Sequence, residues 1–281
     1  MLSISHHPTF IPHHPLPKAH VAGRIHSTKV SQTVDGSGAR YVVFTQGCPL
    51  RCLYCHNPDC REICDGHITT VDNLLKDIQR YQADLQAPGG GVVVTGGEPL
   101  FQPEFVADLL WNCQKLEIPT ILDTSGYANS HSAKHVVQYT DLVLLDIKSF
   151  DPQLYTHLTS VSLEPTLQLA QYLNNIGKPT WIRFILIPGL TDPKENVDNL
   201  ASFLAPLENV ERVEVIPFHQ MGTAKWEALG YDYTLKHIPP PSDELVERVC
   251  SQFRQRGLTV VKAMADVTAE VMAQSLTGIM A

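Results

Sequence analysis

Seven short apolar runs, many of their residues β-branched, recur along this chain with amphipathic stretches between them. The strand-like runs are 41–45, 92–95, 120–123, 142–146, 181–187, 212–217 and 258–261. The helix-like stretches are 71–85, 103–116, 133–138, 165–175, 194–205 and 242–256. Thr69 with Asp72 three residues on has the form of a capping box opening the first helical stretch. Gly177 and Gly257 stand where helices should end before strands. Strands alternating with helices at this spacing predict βαβ units and a parallel sheet. The expected fold is α/β, a partial (βα)6-type TIM barrel of parallel strands with flanking helices. In such folds chemistry gathers at the C-terminal ends of the strands, where loops are free to carry it. Here Cys48 follows the first run, Gly96-Gly97-Glu98 the second, and Asp123-Thr124 end the third. Asp146 and Lys148 close the fourth, Arg183 lies in the fifth, and His219 follows the sixth.

Composition limits the function classes. The 281 residues carry 21 Lys plus Arg against 29 Asp plus Glu, a formal charge of −8, which argues against non-specific nucleic-acid binding. Hydrophobic residues make up 43%, too many for a disordered chain. No run reaches the roughly 18 apolar residues of a membrane span. Residues 1–20 read as a flexible Pro/His-rich leader whose histidines include His6, His7, His13 and His14, with no apolar block of a signal peptide. Residues 21–261 then form the core domain, and 262–281 are an unassigned tail. A cytoplasmic protein is expected.

The seven cysteines are the informative part of that composition. Their odd number argues against a disulfide framework, and five of them fall between Cys48 and Cys64. Cys48-x3-Cys52-x2-Cys55 puts three thiols on one loop, aimed at one centre. Structural zinc sites close with four protein ligands. A cubane iron–sulfur cluster on three thiolates keeps one iron open to an exogenous ligand. Cys60 and Cys64 are too few for a second cluster and read as spare surface thiols. Cys113 and Cys250 fall within helical patterns and read as packed side chains.

The cysteine spacing, with Tyr54 before the last cysteine, matches the signature of the radical S-adenosylmethionine (SAM) enzymes. The flanks narrow it: Gly23-Arg24-Ile25-His26-Ser27, Gln46-Gly47-Cys48, Tyr54-Cys55-His56-Asn57, Gly96-Gly97-Glu98, Leu122-Asp123-Thr124, Leu145-Asp146-x-Lys148, Trp181-Ile182-Arg183 and Pro217-x-His219. Together they resemble the family of activating enzymes of pyruvate formate-lyase, from about Gly23 to near Arg256. The resemblance implies a [4Fe–4S] cluster on Cys48, Cys52 and Cys55 whose open iron chelates SAM. Electron transfer into the sulfonium would release methionine and a 5′-deoxyadenosyl radical, which abstracts a hydrogen from one glycine of pyruvate formate-lyase. A flavodoxin or ferredoxin is the implied electron donor, and a monomer is expected.

The same resemblance assigns the remaining site residues. Tyr54, Cys55 and His56 would border the adenine, while Gly96 and Gly97 bring backbone close to the methionine ammonium. Glu98 would anchor that loop or help neutralise the ammonium. Asp146, Ile147 and Lys148 would meet the carboxylate and ribose end of SAM. Arg183 would pair with the methionine carboxylate, and His219 would contact ribose or adenine. Asp123, Thr124, Asp146 and the carbonyl of Leu144 match a monovalent-cation site for Na+ or K+. The family's Asp-Gly-Pro-Gly-Ile-Arg loop appears here as Asp35-Gly36-Ser37-Gly38-Ala39-Arg40, freeing the backbone at 37. Two alternatives stand beside this reading. One is an activator of a different glycyl-radical enzyme, or another radical SAM enzyme; the other is a non-catalytic zinc-binding module closed by Cys60 or Cys64.

Overall fold

The computed structural model describes residues 21–32 and 38–262. Within them one sheet holds β1 (Ala22–Gln32), β2 (Ala39–Thr45), β3 (His67–Thr70), β4 (Gly91–Gly96), β5 (Thr120–Thr124), β6 (Leu142–Asp146), β7 (Thr180–Leu186), β8 (Val210–Pro217) and β9 (Val260–Lys262). Their spatial order is β3-β1-β2-β4-β5-β6-β7-β8-β9. From β2 to β9 every pairing is parallel. β1 runs antiparallel to both of its neighbours. The outer strands β3 and β9 do not pair, so the barrel stays open.

Helices fill the crossovers. α1 (Val71–Ile78) and α2 (Gln82–Gln86) precede β4, and α3 (Pro103–Lys115) and α4 (Ser130–Val137) follow β4 and β5. After β6 come α5 (Pro152–Thr159) and α6 (Glu164–Asn175), and after β7 comes α7 (Lys194–Leu204). α8 (Thr223–Ala228) and α9 (Asp243–Arg254) lie between β8 and β9. Both glycines expected at helix ends adopt positive φ, 62° at Gly177 and 82° at Gly257, a conformation that suits a residue without Cβ.

The alternation of side chains along each strand sorts the sheet into two faces. Tyr41, Val43, Val92, Val94, Leu122, Val143, Leu145, Ile182 and Phe184 pack with the helices in the main core. Val42, Phe44, Val93, Ile121 and Leu144 form a separate cluster on the opposite, inner face. One step of two residues further along, those inner rows end in Thr95, Asp123, Asp146 and Arg183. The barrel interior is thus apolar below and polar at the C-terminal mouth.

Three features differ from the sequence expectation. The helix N-cap is Thr70, whose hydroxyl accepts from the Asn73 N–H at 3.2 Å, while Thr69 belongs to β3 and pairs with Gly23. β1 carries almost no apolar alternation, and among its described side chains only Gly23 and Ile25 are buried. It is held by pairing on both sides, and Gly23 lies so close to Phe105 that a Cβ there would sit 2.3 Å from the ring. α5 and α8 lie outside the helical stretches read from periodicity. α5 nevertheless has a local start signal, since Asp151 caps the N–H groups of Gln153 and Leu154 at 2.8 and 2.9 Å with Pro152 behind it. The leader 1–20, the loop residues Asp35 to Ser37, and the tail beyond Lys262 lie outside the described residues; Lys262 itself closes β9.

α9 is the helix that covers β7 and β8. Its Phe253 is fully buried, edge-on to Phe184 at a ring separation of 5.8 Å. Phe253→Ala is expected to lower the unfolding free energy by about 3–5 kcal/mol. Ile176→Ala, at a residue 45% exposed, should change it by less than about 0.5 kcal/mol. Urea unfolding of the two variants beside the parent chain checks both values.

Candidate active site

Between β2 and the short turn Pro58–Cys60 the segment has no ladder or helix, and Gly47 and Pro49 interrupt both. It is fixed instead by hydrogen bonds from several directions. Gly47 and Cys48 donate their N–H groups to the carbonyls of Cys60 and Arg61, both at 2.9 Å. Arg51 and Leu53 donate to the carbonyls of Thr159 and Leu158 at the end of α5, at 2.7 and 3.0 Å. The Gln46 side chain donates to the carbonyls of Asp59 and Glu62. Trp226 of α8 donates its indole N–H to the carbonyl of Cys55 at 2.8 Å.

The loop also rests on the turn after β4. Glu98 donates its N–H to the carbonyl of Gly47 at 2.9 Å. A Cβ at Gly97 would lie 2.3 Å from that same carbonyl oxygen and 2.8 Å from that of Cys60. At Gly96, with φ of 110°, a Cβ would meet the Thr45 backbone at 2.4 Å. These glycines are therefore required by the cysteine loop and β2, whatever they also offer a ligand.

Cys48, Cys52 and Cys55 line one cleft at the barrel mouth with Tyr54, His56, Gly96, Gly97, Glu98, Asp123, Thr124, Asp146, Lys148 and Arg183. Cys52 is buried, and Cys48 and Cys55 are half-buried. Burial pushes the Cys48 thiol well up, helped by the nearby Cys52, Glu98 and Cys55. Cys52 is pushed up to about 11 by burial, against the pull of Lys148 and Arg61.

The carboxylates at the mouth are strongly engaged. Glu98 is 1% exposed and accepts from Thr124 Oγ1 at 2.5 Å, Ser125 Oγ at 2.5 Å, Ser125 N at 2.9 Å and Leu100 N at 3.0 Å. Burial raises its pKa, and the donors from Ser125 and Thr124 oppose that rise. Asp123 accepts from Thr95 Oγ1 at 2.9 Å and from one nitrogen of Arg183, at 3.1 and 3.0 Å to its two oxygens. Lys148 Nζ pairs with Asp146 Oδ2 at 2.8 Å and stands 5.7 Å from the centre of the Tyr54 ring. Burial works against the Lys148 charge, but Asp146 and the neighbouring Tyr54 and Cys52 raise its pKa well above the usual range. Asp146 Oδ1 and the Tyr54 hydroxyl are buried in this cleft without a hydrogen bond.

Other residues named from sequence lie at different distances from the cleft. His219 stacks on His56 with ring centres 4.3 Å apart, and reaches the cleft wall through that contact. Ile147 is fully buried in the helix-side core, and its N–H donates to the Arg183 carbonyl. Leu144 pairs in register with Asp123, and Asp146 with Arg183. The expectation of two surface thiols holds for exposed Cys64 and fails for Cys60, which is fully buried. The turn 58–60 folds Cys60 under the cysteine loop, where its sulfur groups with His26 and Asp59. Lys225 Nζ already lies 2.9 Å from Asp59, and His26 Nε2 lies 3.2 Å from the same oxygen. This cluster therefore carries its own cation. Cys113 and Cys250 are buried on α3 and α9, as periodicity suggests.

Comparison with known proteins agrees with this geometry. A model of the radical SAM superfamily matches residues 42–204. The chain is 40% identical over 243 residues to the pyruvate formate-lyase 1-activating enzyme of Escherichia coli K12, covering 86% of this chain and 99% of that protein. It is 43% identical over 232 residues to the pyruvate formate-lyase-activating enzyme of Staphylococcus epidermidis, covering 80% and 92%. The chain belongs to the radical SAM family of pyruvate formate-lyase-activating enzymes. A solved domain of such an activating enzyme from Bacteroides vulgatus superposes with a TM-score of 0.54 at 28% identity, covering 62% of this chain and 99% of that one.

Membership in the radical SAM family implies a [4Fe–4S] cluster and SAM, and the residues present fit both. Three thiols of one loop line a single cleft, and neither Cys60 nor Cys64 is among its lining residues, which suits a cluster with an open iron. The unsatisfied Asp146 Oδ1 and Tyr54 hydroxyl supply buried polar atoms for a polar ligand in the same cleft. Sequence reasoning passed over Thr95, Ser125, Arg61 and Trp226, which support the site from β4, the β5 loop, the Cys60 turn and α8. Of these only Thr95 had a signal, its place two residues beyond inner-face Val93.

Gly97→Ala is expected to lower the iron bound per chain after anaerobic reconstitution, because the new methyl displaces the Gly47 carbonyl that positions Cys48. Glu98→Gln should cost about 1–3 kcal/mol in urea unfolding, since its amide NH2 opposes the donors of Thr124 and Ser125.

Proposed function

We propose that this chain installs a glycyl radical on pyruvate formate-lyase under anaerobic conditions in the cytoplasm. The observation that carries the proposal is the three-thiol loop pinned at the mouth of an open barrel, in a chain matching activating enzymes over most of its length. The cluster and SAM would together supply a 5′-deoxyadenosyl radical that takes a hydrogen from the partner's glycine.

This chain's residues orient and shield that chemistry. Cys48, Cys52 and Cys55 hold the cluster. Gly96, Gly97 and the backbone after β4 receive the methionine end of SAM; Glu98 fixes their turn through Thr124 and Ser125. Asp146 and Lys148 act as a pair toward the ribose and carboxylate, with Asp146 Oδ1 available as an acceptor. Tyr54, Cys55 and the His56–His219 stack border the adenine. Arg183 offers a guanidinium to the methionine carboxylate by exchanging it for Asp123. Release of Asp123 would leave it, Thr124, Asp146 and the Leu144 carbonyl as oxygen donors for Na+ or K+. A flavodoxin or ferredoxin supplies the electron, and the chain works as a monomer.

Low-temperature electron paramagnetic resonance on reconstituted protein with reductant, SAM and pyruvate formate-lyase tests the proposal. A glycyl-radical signal that requires every component is the expected result. A cluster signal that responds to SAM without a glycyl radical would reject this partner. Cys52→Ala should lose the cluster signal and reduce radical yield to background.

A further inference from the structure

Among the described residues, Arg61 is a buried cation without an ion-paired carboxylate. Its side chain is 9% exposed in the turn that leads away from the cysteine loop. Arg183, equally buried, has Asp123 at 3.0 Å. No carboxylate of the described residues forms an ion pair with Arg61. Its guanidinium instead donates to the carbonyl of Cys52 at 2.6 Å and lies 4.3 Å from the centre of the Trp226 ring and 5.9 Å from that of Tyr231. Its Nε is buried and makes no hydrogen bond. A carbonyl dipole and two ring faces attract a cation but do not neutralise it. Burying a charge without an opposite one is costly, so a fold that keeps Arg61 there has an anion in view.

The position of that anion follows from the lining of the cleft. Arg61 borders the same cleft as the three cysteines. Its backbone carbonyl holds the N–H of Cys48, and its side chain holds the carbonyl of Cys52, so one residue grips two ligand positions. The other cation beside Cys52 is Lys148, whose charge Asp146 already balances at 2.8 Å.

We propose that Arg61 is the electrostatic counter-group of the cluster on Cys48, Cys52 and Cys55, favouring its one-electron-reduced form. Reduction adds one negative charge to the cluster, and the electron comes from the external reductant. A fixed cation in a water-poor site stabilises the reduced form more than the oxidised one and raises the reduction potential. Arg61 is thus a positioning residue that sets how readily the site accepts its electron. The inference rests on the cluster assignment made under the proposed function.

The test compares Arg61→Met, which removes the charge and keeps an extended side chain, with Arg61→Lys, which keeps the charge. Each protein is reconstituted anaerobically, its iron and sulfide are counted, and the cluster is titrated potentiometrically under paramagnetic-resonance detection without SAM. Arg61→Met should load fully and show a reduction equilibrium constant about tenfold lower, a fall of about 59 mV for one electron. Arg61→Lys should stay within about threefold of the parent. Full loading of Arg61→Met with an unchanged potential would overturn the inference and leave Arg61 as a clamp for Trp226. If Arg61→Met fails to load, loading of Arg61→Lys at a near-parental potential sustains it. Failure of both to load overturns it in favour of a structural role. Absence of a cluster in the parent chain would instead reject the functional reading itself.

Discussion

The backbone of the cysteine loop has no ladder or helix of its own, and the rest of the site depends on how that deficit is met. Its N–H groups find carbonyls at Cys60, Arg61, Leu158 and Thr159. Its Cys52 and Cys55 carbonyls are taken by Arg61 and Trp226. These bonds come from three segments, the Cys60–Arg61 turn, the end of α5 and α8, so the three sulfurs are placed by the assembled fold and not by the loop's own geometry. A loop met from several sides also leaves little room for a side chain between it and its support. That is why the turn after β4 presents Gly97 there.

The polar groups at the mouth form two separated systems. Glu98 gathers donors from the β5 loop and ties the turn after β4 to it. Asp123 of β5 pairs with Arg183 of β7 across β6, and Asp146 at the end of β6 pairs with Lys148 two residues on. Such pairs keep charge inside the barrel at modest cost, because each member has a partner until a charged ligand competes for it. Arg61 stands apart from both systems, and its imbalance links the protein scaffold to the charge of the cluster.

The sequence was legible where periodicity is strong. The six strands β2, β4, β5, β6, β7 and β8 fall within one or two residues of the apolar runs, because buried parallel strands are continuous stretches of Val, Ile and Leu. The long helices α3, α6, α7 and α9 follow for the same reason. β1 was illegible because its stability comes from pairing on both edges and not from an apolar face. α5 and α8 are short, and their role lies in the carbonyls and indole N–H they offer the loop, which no pattern in sequence reports. Thr69 was one residue from the true cap, since Thr69 and Thr70 are chemically equal and only the backbone entering α1 distinguishes them.

By itself the sequence determined the parallel βα order, the three-thiol centre, and the rank of polar residues at strand ends. These depend on local spacing, and a covalent chain carries spacing without loss. Tertiary structure alone decided which groups meet. It set Arg183 against Asp123, His219 against His56, and the buried Cys60 beneath the loop. It also left Arg61 buried beside the Trp226 and Tyr231 rings, with no ion-paired carboxylate among the described residues. Burial and the identity of a charge's neighbour arise only when distant segments pack, and they fix what each ionisable group can do.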